Sequence, residues 1–161
     1  MPTETEKKYL VRNRGGAERP HSSKKISQGY ICLDPDRTVR VRIAGEKGFI
    51  TVKGGTTGLS REEFEYEIPP GDARAMIETM CGRRVDKIRH TVDDDDGYRW
   101  TIDEFKGENE GLVIAEIELS ERNRDFPEEL PEWIGEEVSG KTEYFNSQLS
   151  EHPFSEWKQK G

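Results

Sequence analysis

The chain has 161 residues, with 25 Lys and Arg against 33 Asp and Glu, for a net charge of −8 at pH 7. Leu, Ile, Val and Phe supply only about one residue in five while 36% are charged, a composition at the edge of what can build an oily core. The acidic balance argues against general binding to DNA or RNA, and no apolar run approaches the ~20 residues of a membrane span. Cys32 and Cys81 form no Cys-x-x-Cys motif, and the start Met1-Pro2-Thr3-Glu4-Thr5-Glu6 lacks the basic and apolar stretches of an export signal. A single domain over 1–161 with reduced thiols, cytoplasmic and either monomeric or homodimeric, is therefore expected.

Apolar side chains recur mostly with period two, the spacing of a strand with one buried face. In chain order, strands are expected near 3–11, 24–33, 37–44, 48–54 and 62–68. A helix is expected over 71–81, where Ala73, Met76, Ile77 and Met80 recur at three-to-four spacing behind Asp72. Strands near 84–92, 98–106 and 112–119 follow, then a second helix over about 141–150 with Tyr144, Phe145 and Leu149. Turn formers separate the strands: Asp34-Pro35-Asp36, Gly45 to Gly48, Asp93 to Gly97 and Gly107 to Gly111. The stretch 13–25 reads as a polar loop. The prediction is a mainly β (α+β) fold of eight antiparallel strands with a few flanking helices.

Alternate residues of a strand face opposite ways, so each strand sorts its side chains into two sets. Glu4, Glu6 and Lys8 share one face, as do Arg40 with Arg42, Glu63 with Glu65 and Glu67, Lys87 with Arg89, and Glu116 with Glu118. Lys53 opposes Val52, and the backs of the other strands carry residues such as Val41, Phe64, Ile88 and Ile117. A half-exposed sheet with its charges in water accounts for such alternation. It does not account for the sorting of sign, which sets like carboxylates ~7 Å apart along one strand. Those pairs repel unless a cation lies between them. Mg²⁺ or Mn²⁺ binds carboxylate, water and phosphate oxygens, and Arg and Lys complement phosphate, so the pattern suits a metal-bound polyphosphate. Eight strands can close into a barrel around one small ligand. With the charged faces inward, its lumen would hold Glu4, Glu6, Glu63, Glu65, Glu67, Asp103, Glu116 and Glu118 against Lys8, Arg40, Arg42, Lys53, Lys87 and Arg89. Such a lumen must be wet, paired and ligand-filled, because uncompensated burial costs several kcal/mol per ion.

Glu4-Thr5-Glu6-Lys7-Lys8 resembles the E-x-E-x-K signature of the CYTH domain, the fold of the triphosphate tunnel metalloenzymes. The likeness continues through Gln28-Gly29-Tyr30, Arg40-x-Arg42, Thr51-x-Lys53, Ser60-Arg61-x-Glu63-x-Glu65 and Arg84-x-x-Lys87-x-Arg89. It runs on through Asp103, Glu116-x-Glu118, Gly135-Glu136-Glu137-Val138 and Tyr144-x-Asn146. The chain looks most like the compact bacterial members, closed eight-stranded tunnels that hydrolyse triphosphates with Mg²⁺ or Mn²⁺. The resemblance implies that Lys8, Arg40, Arg42, Lys53, Lys87 and Arg89 grip the triphosphate, that Glu4, Glu6, Glu63, Glu65, Glu116 and Glu118 bind metal, and that Asp103 supports them. It also implies Tyr30 and Lys87 as the base. Thr5 departs from the family pattern, since an apolar residue is usual there.

Inorganic tripolyphosphate is the expected substrate, split to diphosphate and phosphate. Thiamine or nucleoside triphosphate hydrolysis, class IV adenylate cyclase chemistry, and a non-catalytic polyphosphate-binding module are the alternatives. His90 faces outward by parity and is expected to be structural. The Asp93-to-Asp96 run lacks the alternating ligands of a calcium loop and reads as a solvated turn.

Overall fold

The computed structural model describes residues 3–13, 15 and 20–157. Nine strands form one sheet: β1 (Thr3–Val11), β2 (Ser22–Cys32), β3 (Arg37–Ala44), β4 (Lys47–Gly54), β5 (Ser60–Ile68), β6 (Val85–Asp93), β7 (Arg99–Phe105), β8 (Val113–Glu118) and β9 (Ile134–Glu137). Two α-helices, α1 (Pro70–Met80) and α2 (Asn146–Glu151), and three short 3₁₀ turns complete the described fold. The strand order is β5-β4-β3-β2-β6-β7-β8-β1-β9, with every pairing antiparallel. A further pairing of β1 with β5 closes the first eight strands into a barrel. β1 achieves this by dividing one edge: Thr3 to Thr5 pair with β5, while Tyr9 and Val11 pair with β9.

Local chemistry explains the joints. Ala44 faces Lys47 across a two-residue turn in which Gly45 has φ 61 and Glu46 does not take a positive φ, the pattern of a type II′ hairpin. At the β6–β7 turn, Asp94 accepts hydrogen bonds from the Asp96 and Tyr98 backbone N–H groups and from Trp100 Nε1. The acidic run therefore works as a turn that spends its central carboxylate on protein donors. Pro70 opens α1 at the position where its missing N–H costs nothing.

Three apolar clusters hold the barrel. α1 lays Ala73 and Ile77 over the outer face of β2–β4, against Val41, Ile43 and Ile50. Around β1, β7 and β8, Tyr9, Trp100, Ile102, Ala115 and Ile117 are covered by Ile134, Phe126 and Trp133. The fully buried Trp100 meets Tyr9 and Trp133 edge-on, with ring centroids 5.7 and 5.6 Å away. The third cluster is internal: Leu10, Val85, Phe105 and Ile114 point into one end of the barrel, where Tyr144, Leu149, Phe154 and Trp157 cover them.

The expected eight strands and first helix are present within a few residues. Three expectations need correction. β9 is an added strand, too short and too polar (Ile-Gly-Glu-Glu) to show a period. The second helix breaks at Phe145 into a 3₁₀ turn (Thr142–Tyr144) and the six-residue α2. Of the loop expected over 13–25, residues 14 and 16–19 lie outside the described residues, and 22–25 belong to β2. Thr5 bonds Ser60 Oγ at 2.6 Å, so the polar departure in the signature sits on the closing seam. His90 faces outward, with Nδ1 on Ser23 and Nε2 on Glu104, each at 2.7 Å.

Gly29 and Gly48 let α1 approach the barrel. A Cβ at Gly29 would lie 2.6 Å from Cys81 Cβ, and one at Gly48 would lie 2.9 Å from Ala73 Cβ. Gly29→Ala should lower stability by about 1–3 kcal/mol in urea unfolding, and adding Cys81→Gly should recover most of that loss.

Candidate active site

Cross-strand registers place one continuous set of side chains inside the barrel. Glu4 stands opposite Arg61, Lys53 opposite Glu63, Thr51 opposite both Arg40 and Glu65, and Arg42 opposite Gln28. Around the other arc, Arg89 stands opposite Asp103, Thr101 opposite Glu116, Glu116 opposite Lys8, and Glu118 opposite Glu6. The cavity within holds about 340 Å³. Its lining includes all six basic residues singled out in the sequence (Lys8, Arg40, Arg42, Lys53, Lys87, Arg89) and all six glutamates (Glu4, Glu6, Glu63, Glu65, Glu116, Glu118). A narrower chamber of about 100 Å³ toward the covered end shares Glu4, Glu6, Lys8, Arg40 and Lys53 and adds Tyr30, Arg61 and Phe145.

Two of the residues named in advance do not line that cavity. Asp103 shares the inward face but has no exposed surface, being covered by Arg89 and Lys87. Glu67, expected in the lumen, is on the barrel rim, 61% exposed and 3.9 Å from Lys47, because its strand runs past the closed part of the barrel. Gln28, Thr51 and Thr101 share inward faces with Tyr30, Lys53 and Asp103, so the same parity could have found them. Asn146 comes from α2, and Ser120, Arg122 and Asn123 at the wide mouth come from a loop, where no strand period applies.

Charges in the wall are paired. Asp103 receives Arg89 through two bonds of 2.7 and 2.8 Å and Lys87 Nζ at 2.8 Å. Lys53 bridges Glu4 at 3.1 Å and Glu63 at 3.6 Å. Arg40 lies 3.5 Å from Glu65, with Thr51 bonded to both. Lys8 and Arg89 approach Glu116 at 3.7 and 3.8 Å, and Lys8 also lies over the Phe145 ring.

The pairing divides the ionisable groups into two kinds. Burial opposes the charge on Asp103, yet Arg89 and Lys87 outweigh it and hold the carboxylate well below its usual range. Lys87 gives way first: burial lowers it to about 7, with Arg89 and Arg42 assisting against the pull of Asp103. Burial also lowers Arg42 to about 9, helped by Arg40 and Arg89. Among the acids, Glu6 is pushed up to about 8 by burial and by Glu116, and Glu63 to about 7 by burial and its hydrogen bond with Glu4. Burial raises Glu118 as well, with Glu4 and Glu116 adding to it. Glu4 falls to about 2 because Glu63 and Lys53 overcome its burial.

Glu4 and Glu63 stand close enough that each shifts the other's proton affinity, and Glu63 Oε2 is buried without a hydrogen-bond partner. Glu6 and Glu118 form a second face-to-face pair. Among the described residues no three acids or other ligands converge into a ready-made metal cage. A Mg²⁺-type ion needs none, because it keeps several waters and takes one or two carboxylates together with phosphate. Two crowded all-oxygen pairs, in which Glu6, Glu63 and Glu118 have raised proton affinities, and an orphaned oxygen fit such an ion.

The sequence profile of the CYTH domain matches residues 3–151. An inorganic triphosphatase of Acetivibrio thermocellus is 46% identical over 161 residues, covering 99% of this chain and 100% of that protein. An inorganic triphosphatase of Nitrosomonas europaea is 32% identical over 149 residues, covering 92% and 97%. The crystal structure of the inorganic triphosphatase NE1496 superposes with a TM-score of 0.63 at 30% identity, covering 93% of this chain and 95% of that one. The family match over nearly the whole length and the shared closed barrel place this chain in the CYTH domain family.

Proposed function

We propose that this chain hydrolyses inorganic triphosphate to diphosphate and phosphate, with Mg²⁺ or Mn²⁺ as cofactor, and works in the cytoplasm as one domain over residues 1–161. The observation that carries the reading is the meeting of six bases and six glutamates on one cavity. The relatives described as inorganic triphosphatases support the substrate class. Among the described residues no aromatic ring lines the wide cavity, and Tyr30 and Phe145 line only the adjoining chamber of about 100 Å³, too small to admit an adenine or a thiazole beside a triphosphate. That favours the inorganic substrate over nucleotide or thiamine triphosphates and over cyclase chemistry. A module that only binds polyanions would need the bases but not two crowded carboxylate pairs. For location, no described helix is long and apolar enough to cross a membrane, and Cys32 and Cys81 are free thiols.

In this reading Arg40, Arg42 and Arg89 hold phosphate oxygens with forked donors, and Lys8 and Lys53 add point charges. Glu4 with Glu63, and Glu6 with Glu118, carried on the neighbouring strands β5, β1 and β8, would hold the divalent cation, with Glu65 and Glu116 next to them. The cation, when bound, neutralises phosphate oxygens and lowers the barrier to attack by water. Lys87 takes the proton from the attacking water together with Tyr30. Asp103 keeps Lys87 and Arg89 aimed, and the arginines stabilise charge on the leaving diphosphate.

Phosphate release from tripolyphosphate should be fast with Mg²⁺ or Mn²⁺, abolished by EDTA, and at least tenfold slower from ATP or thiamine triphosphate. Equal rates on all three substrates would remove the inorganic assignment.

Raised acids make the metal-free protein sensitive to pH. A carboxyl whose folded pKa lies above its unfolded value stabilises the fold fully below the unfolded value, and that contribution is lost as pH rises through the folded one. For Glu6 and Glu63 the window runs from ordinary carboxylate pH up to about 8 and about 7. The melting temperature in EDTA should therefore fall between pH 5 and 7, above which the lowered Lys87 begins to act in the opposite direction. Glu6→Gln should melt higher than the parent at pH 8 and gain less from added Mg²⁺. A lower melting temperature for this variant in EDTA would count against repulsion in the lumen.

The rate should climb from pH 6 to pH 9, since Lys87 must lose its proton to act and the raised carboxyls must lose theirs to take metal. Tyr30→Phe should lower kcat far more than it raises KM. A rate that is flat over this range, or a Tyr30→Phe enzyme with full kcat, would leave Lys87 and Tyr30 as substrate contacts only.

A further inference from the structure

Tyr30 and Lys87 share no direct hydrogen bond among the described residues; two amides span the space between them. Arg42 Nε donates to Gln28 Oε1 at 2.9 Å. Because guanidinium only donates, it fixes the oxygen of Gln28 on its own side and turns the NH₂ group the other way. Gln28 Nε2 then donates to the Tyr30 hydroxyl at 3.2 Å and to Asn146 Oδ1 at 3.3 Å. Asn146 Oδ1 also accepts from Lys87 Nζ at 2.9 Å. A reversed Asn146 would set its NH₂ against two donors, so its orientation follows from that of Gln28. Gln28 has no exposed surface and would pay the full cost of desolvation if its partners left.

We propose that Asn146, held by Gln28, is a positioning residue for the hydrolytic step, keeping the Lys87 amine within reach of Tyr30 instead of wholly on Asp103. This inference rests on the triphosphatase reading given above. Lys87 has two oxygen partners on different elements: the Asp103 carboxylate on β7 at 2.8 Å and the Asn146 amide on α2 at 2.9 Å. With the amide oxygen gone, the carboxylate is the only protein acceptor left to Lys87 among these contacts, and the amine settles against the wall. Arg40, Arg89, Lys8 and Lys53 keep their positions in that event, since none of them touches Asn146. Loss of the amide therefore spares the grip on phosphate and strikes the chemical step. Asn146 stands at the first turn of α2, whose Leu149 sits in the apolar cover of the barrel end, so the carboxyl-terminal segment supplies both the cover and this polar contact.

The test is steady-state kinetics on tripolyphosphate with Mg²⁺ for the parent, Asn146→Ala, Asn146→Asp, Lys87→Ala and the double variant Asn146→Ala/Lys87→Ala. Asn146→Ala should lose on the order of 10- to 100-fold in kcat with KM within about threefold of the parent. Asn146→Asp keeps an acceptor oxygen for both donors, but its carboxylate also holds the Lys87 proton, so it should recover most of that loss at the alkaline end of the pH profile, with the rise in rate displaced to higher pH. The double variant should be no worse than Lys87→Ala, because Asn146 acts through Lys87. Where the alanine variant does not fold, Asn146→Ser serves the same comparison. Multiplicative losses in the double variant, a KM effect without a kcat effect, or an aspartate variant no better than alanine at alkaline pH would each overturn the assignment. A parent without metal-dependent tripolyphosphate hydrolysis would overturn the proposed function itself. An active parent matched by an equally active Asn146→Ala would overturn only the role of Asn146.

Discussion

Strand parity is the constraint from which the rest of this molecule follows. Every second side chain must turn to the same side of a sheet, and closing eight strands makes that side an interior. Here the charged side turns inward. The apolar side, which in an ordinary barrel-like core would face its own kind, is left outside and must be covered. α1 covers one arc, β9 and the 120–133 loop cover another, and the carboxyl-terminal segment closes one end from within. The low apolar content of the chain is thus a property of the architecture, since the center of the barrel is lined by charged side chains instead of hydrocarbon.

A charged interior persists only if its charges are nearly balanced. Arg89 and Lys87 converge on Asp103, and Lys53 spans Glu4 and Glu63. These contacts offset much of the cost of taking ions out of bulk water. The balance is incomplete by design of the residues present. Glu6, Glu63 and Glu118 hold protons more tightly than free carboxylates do, and Lys87 holds its proton less tightly than a free lysine. Both departures point the same way, toward a site that is more comfortable with a cation among its acids and a polyanion among its bases than alone.

Most of this was legible in the sequence because parity is a two-residue rule. Arg40-x-Arg42, Lys87-x-Arg89 and Glu116-x-Glu118 announce their shared face without any long-range information, and hairpin connections carry that face from one strand to the next. Legibility failed where the determining contact was not on a strand. Asn146 reaches the lumen from a six-residue helix, and Arg122 from a loop. Glu67 obeys parity but lies past the rim, a boundary set by where β5 leaves the barrel and not by its own sequence. β9 is a strand only because β1 offers it an edge; its four residues carry too little pattern to declare it.

That divided edge of β1 also sets the order in which the molecule can be assembled. The strand nearest the amino terminus finds its partners in residues 60–62, 114–118 and 134–137, so none of its pairings is local. During synthesis the hairpins from β2 to β5 can form as they emerge, while β1 presents unpaired edges until most of the chain has been made. Closure is then the late and slow event, dominated by loop-closure entropy, and it arrives together with the cover of Tyr9 and Trp100 by Trp133. The completed charged interior, which needs Glu4, Glu6 and Lys8 of β1 beside β5 and β8, is therefore among the last features to form.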